Sequence, residues 1–157
     1  ALSLSTGARL RSVLTISKAD INLNTNTVII KNHKANRTYN GYIHSNYREL
    51  IAKRIENLSP IDYVVNSSPE ELNRNSINKI LQPIFDKLFN QGLKSEDSKR
   101  RVVIHTLRHT FASQLAIAET PIYTIMRLMD HADISQTIRY AKLSSANGSD
   151  AVFKLKF

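Results

Sequence analysis

The 157-residue chain contains no cysteine, which excludes disulfides, thiolate catalysis and any zinc site built on thiolates. It has no apolar run of 18 residues to span a bilayer. It also lacks the basic amphipathic helix or lipidation motif of a membrane-surface protein, so no membrane partner is expected. No secretory leader is legible, which makes a cytoplasmic location the expectation. Internal repeats and low-complexity tracts are absent too. Acidic residues are few beside basic ones: 13 Asp plus Glu against 22 Lys plus Arg, a formal charge of +9. That imbalance makes a polyanion the first partner to consider, with an ordinary basic soluble domain as the alternative. A hydrophobic content of 41% is enough for one folded core.

In chain order, Ala1 to Leu14 begins inside a helical pattern with no start signal, as a fragment of a longer protein would. Between Ala19 and Ile43, Ile21 and Leu23, then Val28 and Ile30, then Tyr39, Gly41 and Ile43 predict three short antiparallel strands. An Asn-rich turn at Asn24–Asn26 and a cationic turn around Lys31–Asn36, KNHKANR, would join them. Ser45 to Leu58 predicts a helix with Tyr47, Leu50, Ile51, Ile55 and Leu58 inward. Ile61 to Val65 reads as a buried strand or loop, and Asn66-Ser67-Ser68-Pro69 as a turn. Ser76 to Asn90 predicts a helix burying Ile77, Ile80, Leu81, Ile84 and Leu88, kinked at Pro83 and stopped by Gly92. Lys94 to Arg101 reads as a solvated loop whose basic end, Lys99 to Arg101, also suits phosphate.

The richest stretch is Ile104 to Tyr140, IHTLRHTFASQLAIAETPIYTIMRLMDHADISQTIRY. His105 and Arg108, three apart, would share one helical face above a stripe of Leu107, Phe111, Leu115 and Ala118. Thr120-Pro121 predicts the cap and first position of a next helix, with Ile122, Ile125, Leu128 and Met129 on its apolar face. Asp133 with Gln136 predicts a capping box opening a last short helix that carries Tyr140. His105 and His109, four apart, would with His131 make a zinc triad on spacing alone. The helix lacks the glutamate of such sites, however, and places Arg108 beside the metal, so no metal is expected and His109 is read as structural.

HTLRHTFAS followed by LMDHADISQTIRY, with the tyrosine nine residues after the last histidine, is similar to the C-terminal signature of the tyrosine recombinases, the phage integrase family. Ser5-Thr6-Gly7-Ala8-Arg9 resembles that family's T-G-x-R box, so the resemblance spans nearly the whole chain. It implies an α+β, mainly helical catalytic domain with a small three-stranded antiparallel sheet at one edge, over residues 1–142. Residues 143–157 would form a tail, docked on a neighbouring protomer or packed back on its own domain. It implies site-specific recombination by DNA breaking and rejoining through a 3′-phosphotyrosyl bond, with no metal or ATP and no cofactor. Arg9, Lys34, His105, Arg108 and His131 would be the catalytic residues around the nucleophile Tyr140. Lys31 competes with Lys34 for the role of general acid; otherwise Lys31 and Arg37 would contact DNA.

The partners so implied are double-stranded DNA and, in the full-length protein, three further copies forming a tetramer on paired sites, in a bacterial nucleoid or phage-infected cell. One departure stands out. Three residues after Arg9, where the family usually has an acid that orients the arginine, this chain has Ser12, so Arg9 must be oriented from elsewhere. A type IB topoisomerase and a DNA-binding relic unable to cleave are the competing readings.

Overall fold

The computed structural model describes residues 1–65, 74–94, 96–144 and 152–153. Two short helices, α1 (Leu2–Thr6) and α2 (Leu10–Leu14), open the chain and meet at a tight turn. Gly7 makes the turn with a left-handed φ of +61°, its N–H returning to the Ser3 carbonyl at 3.1 Å. A β-carbon at this position would fall 2.3 Å from the Phe111 ring, so both conformation and space require glycine. Thr6 completes the stop by donating to the Leu2 carbonyl and accepting from the Ala8 N–H.

The predicted sheet is present. Strands β1 (Ile21–Asn22), β2 (Thr27–Asn32) and β3 (Arg37–Tyr42) run antiparallel in that order, with Ile30 opposite Tyr39 and Asn32 opposite Arg37. Along β2, Val28, Ile30 and Asn32 are buried while Ile29 and Lys31 are exposed, the period of two of a half-buried strand. Asn26 and Asn36 supply the positive φ that the two turns need.

Helix α3 (Ser45–Ile55) stops three residues short of the predicted Leu58, which packs against the core from the following turn. Ile51 and Ile55 are buried and Tyr47 half-buried, but Leu50 is 60% exposed. The buried stripe follows the fourth-residue ridge 47, 51, 55, and Leu50 lies about 100° round the helix from it. Helix α4 (Arg74–Phe89) shows the same error on a larger scale. Its buried residues are Ile77 and Phe85, whereas Ile80, Ile84 and Leu88 face outward. The helix is also continuous through Pro83. Ile61 is exposed and Val64 buried, while the turn expected at residues 66–69 lies outside the described residues.

Helix α5 (Ile104–Ile117) starts where the Val103 N–H donates to Thr106 Oγ1, and beyond its last turn the chain breaks away at Glu119, whose φ is +59°. Its buried residues are Arg108, Ala112 and Ala116, with Phe111 and Leu115 packed alongside. Ala118, expected inside, lies past the helix end and is exposed. Helix α6 (Ile122–Leu128) is capped by Pro121 itself, one residue later than predicted. Helix α7 (Ser135–Ile138) has no capping box: Asp133 Oδ1 accepts the Ser135 N–H, and Tyr140 sits in the turn just beyond.

Two apolar clusters result. One joins the sheet to α1, α2 and α3, and the other joins α5, α6 and Tyr140. No helix among the described residues is long and apolar enough to cross a membrane.

Candidate active site

Arg108 ties the two clusters together. It is 4% exposed, and its guanidinium donates to the Gly7 carbonyl at 2.5 Å and to the Met129 carbonyl at 2.6 Å. One nitrogen therefore reaches back to the α1–α2 turn and another forward to the end of α6. Burial, and then the charge of Arg9, lower its pKa. Arg9, the residue that caps α2, shares with Arg108 and His105 the lining of a cleft of about 380 Å³. The predicted cationic face thus exists, with His105 exposed at its rim and Arg108 at its base.

Asp130 closes the other side. It is buried, in a left-handed conformation with φ of +49°, directly before His131. Its carboxylate lies 3.8 Å from Arg9 and accepts two hydrogen bonds from Arg37, through Nε at 3.1 Å and Nη2 at 2.5 Å. Asn32 donates to its other oxygen. Tyr39, on the inner face of β3, has a buried hydroxyl beside the Arg108 guanidinium, and burial raises its pKa against the pull of that charge.

His131 Nδ1 is 2.8 Å from Thr137 Oγ1, a fully buried hydroxyl. Burial and the charges of Arg108, Arg9 and Arg139 hold its pKa down at about 4, so the imidazole is neutral at pH 7. Tyr140 is 5% exposed, and its hydroxyl lies 2.5 Å from Nδ1 of His109. Burial lowers the pKa of His109 as well, aided by Arg139 and Arg108, and in the tautomer protonated on Nε2 a neutral ring accepts from the tyrosine. Burial raises the Tyr140 pKa, against the opposing pull of Arg139 and Arg108. Arg9 and Arg37 flank the Asp130 carboxylate, and the charges of Arg108, Arg9 and Arg139 converge on the neighbouring His131. Such an excess of fixed positive charge suits an anion.

The model of the phage integrase family matches residues 1–147. The chain belongs to the phage integrase family. The integrase of Escherichia phage 186 is 42% identical over 48 residues, 31% of this chain and 14% of that relative's length. Among solved structures, the catalytic domain of bacteriophage HP1 integrase aligns with 98% of this chain and 77% of its own, at 20% identity and a TM-score of 0.64. The XerH site-specific recombinase bound to its difH substrate aligns with 99% of this chain at 17% identity and a TM-score of 0.69. This chain spans 45% of that recombinase. At these identities the likeness is one of fold.

Within this integrase-family fold, Arg9, His105, Arg108, His131 and Tyr140 converge. Lys34 is exposed in the β2–β3 turn, and Lys31 projects from the outer face of β2, opposite to Asn32. Arg37, read from sequence as a DNA contact, is half-exposed and paired with Asp130. Arg101 is not solvated either; it pairs with Asp86 at 2.6 Å and anchors the loop before α5. His109, Asp130 and Thr137 were missed as site residues. The i,i+4 spacing of His105 and His109 was the signal for the first. Asp130 and Thr137 flank His131 but bear no chemistry recognisable before the chain is folded.

Among the described residues no three histidine, aspartate or glutamate side chains cluster as metal ligands. His105 and His109 stack edge to face, with ring centres 4.8 Å apart.

Proposed function

We propose that this chain is the catalytic part of a site-specific DNA recombinase that cuts and rejoins strands by transesterification. Tyr140 Oη attacks the scissile phosphorus, forming a 3′-phosphotyrosyl bond as the P–O5′ bond breaks. The tyrosine proton passes to a histidine, and the Lys34 ammonium protonates the departing O5′. A second strand's 5′-hydroxyl then reverses the step, so the bond energy is retained and no nucleotide is consumed. Arg9 and Arg108 offer planar forks to the non-bridging oxygens as charge builds there, and His105 and His131 add hydrogen bonds to the same phosphate.

The observation that carries this reading is the placement of the Tyr140 hydroxyl. It is held by His109 within the electrostatic reach of Arg108, which supports a nucleophile and a phosphate clamp supplied by one chain. The alternation along β2 favours Lys34 over Lys31 as the acid, because Lys31 faces away from Asn32 and the site. The XerH recombinase, similar in fold, is bound to a DNA substrate, which supports duplex DNA as the partner here. Residues 1–142 would then be the catalytic unit and 143–157 a tail that docks on a neighbouring protomer of a tetramer. The exposure of Val152 and Phe153, at 61% and 83%, fits docking away from their own domain.

The test is incubation of the full-length protein, without metal, with nicked suicide duplexes covering the DNA that flanks its own gene. A covalent adduct that survives denaturation and is lost in Tyr140→Phe is the expected result. No adduct from protein demonstrably bound to that DNA would favour the non-cleaving binder. Relaxation of supercoiled plasmid without recombinant product would favour a topoisomerase.

A further inference from the structure

Arg108 is fixed by two backbone carbonyls, but Arg9 has no comparable anchor. Its side chain is 39% exposed, and among the described residues its polar contacts are to Asp130, the carboxylate at 3.8 Å and the carbonyl at 3.5 Å. Ser12, one turn along α2, donates its hydroxyl to the Lys31 carbonyl at 2.6 Å and carries no charge to orient the guanidinium. The same Asp130 carboxylate reaches across to the sheet. Its first oxygen receives Arg37, and its second receives Asn32. Asn32 in turn accepts the backbone N–H groups of Lys34 and Ala35 at 3.0 and 3.1 Å, which shapes the turn that carries Lys34.

We infer that Asp130 is a positioning residue that sets Arg9 directly and the Lys34 turn through Asn32, so one buried carboxylate aligns the phosphate clamp with the leaving-group acid. This rests on the cleavage reading above. The juxtaposition depends on the backbone as well as the charge. A φ of +49° directs the Asp130 side chain toward the sheet while its own carbonyl faces Arg9, and aspartate is among the few side chains that take this conformation readily. The carboxylate is buried and yet has an arginine on each side, so its oxygens are occupied and its position is over-determined.

The test uses Asp130→Asn and Asp130→Gly in the full-length protein. Both residues tolerate the left-handed backbone, so they remove the charge without straining the turn. Adduct formation on a suicide duplex in single turnover is expected to slow about 10- to 100-fold, as misplaced reacting groups do. A duplex with a 5′-bridging sulfur separates the two arms of the proposal, because a thiolate leaves without a proton. It should restore Lys34→Ala fully and Asp130→Asn only in part, since Arg9 stays misplaced. Loss of fold alone would leave both substrates equally affected and would overturn the proposal, as would rates within twofold of wild type.

A further readout needs no catalysis. The Arg37 Nε–H resonance should be protected from exchange in the wild type and exchange freely in Asp130→Asn; equal exchange counts against the proposal. Absence of any wild-type adduct would instead count against the cleavage reading, and the resonance would still decide whether Asp130 holds Arg37.

Discussion

The two ends of the site are held by different means. At the buried end, Arg108 is fixed by main-chain carbonyls of Gly7 and Met129, and Tyr140 is packed among Ala112, Ala116, Ile125 and Met129. At the exposed end, Arg9, Arg37 and Lys34 lie on the surface and are organised through the side chains of Asp130 and Asn32. Groups anchored on backbone are part of the fold, and their loss must damage stability and chemistry together. Groups anchored on a side chain can be lost from the chemistry alone.

The sharpest way to break that contrast is to truncate the two arginines separately. A preorganised charge on the transition state is worth about 3 to 4 kcal/mol, so Arg108→Ala and Arg9→Ala should each lower cleavage by about two to three orders of magnitude. Their stabilities should differ. Arg108→Ala leaves two buried carbonyls without donors and a cavity beneath the cleft, at a cost of about 2 to 4 kcal/mol. Arg9→Ala removes a half-exposed pair and should cost less than about 1 kcal/mol. Single-turnover cleavage and urea midpoints measure both, and equal destabilisation would erase the distinction.

Gly7→Ala probes the backbone side of the same contrast. The new methyl would meet Phe111 and sit at a φ of +61°, so a loss of about 1 to 3 kcal/mol is expected. The Gly7 carbonyl would shift from Arg108 as well, so cleavage should fall with stability. A variant of unchanged urea midpoint but reduced cleavage would show that the anchor tunes chemistry without supporting the fold.

A smaller effect is expected from pH. An unfolded histidine takes up its proton near pH 6.5, but His131 in the fold resists it until about pH 4. In that window the unfolded chain binds more protons, so the stability present above pH 6.5 declines as the pH falls toward 4. His131→Gln should flatten this part of the profile relative to wild type; parallel profiles would mean that the site leaves the imidazole unperturbed. A bound phosphate would offset the arginine charges, so DNA binding near pH 5.5 should be accompanied by proton uptake, measurable from the buffer dependence of the binding heat.

Much of the exposed end could be read from the chain because its signals are local. The cationic turn and the alternation of β2 each lie within a few residues. Their coupling could not be read, because Asn32 and Asp130 are 98 positions apart and only the folded chain brings them together. The same applies to His109. Its spacing from His105 was visible, but its bond to Tyr140 depends on how the chain returns after α6. In α4 the limit was different. Apolar residues occupy two adjacent fourth-residue stripes, 77-81-85 and 80-84-88, and periodicity alone does not choose between them.

That ambiguity yields the smallest expected effect, and a control that touches neither end of the site. Ile80 is 57% and Leu88 62% exposed, on the stripe of α4 turned away from Ile77 and Phe85. Side chains that leave this much surface in water recover little on folding, so Ile80→Gln and Leu88→Gln should each alter stability by less than about 0.5 kcal/mol. Cleavage should be unchanged, because Gln82 and Asp86, which with Asn90 just past the helix end fix the approach to α5, lie on another face. A loss of more than about 1 kcal/mol in the isolated chain would mean that this face is covered in solution. The outward stripe would then belong to the core, and the buried and exposed ends of the site would rest on a larger common foundation than Arg108 alone provides.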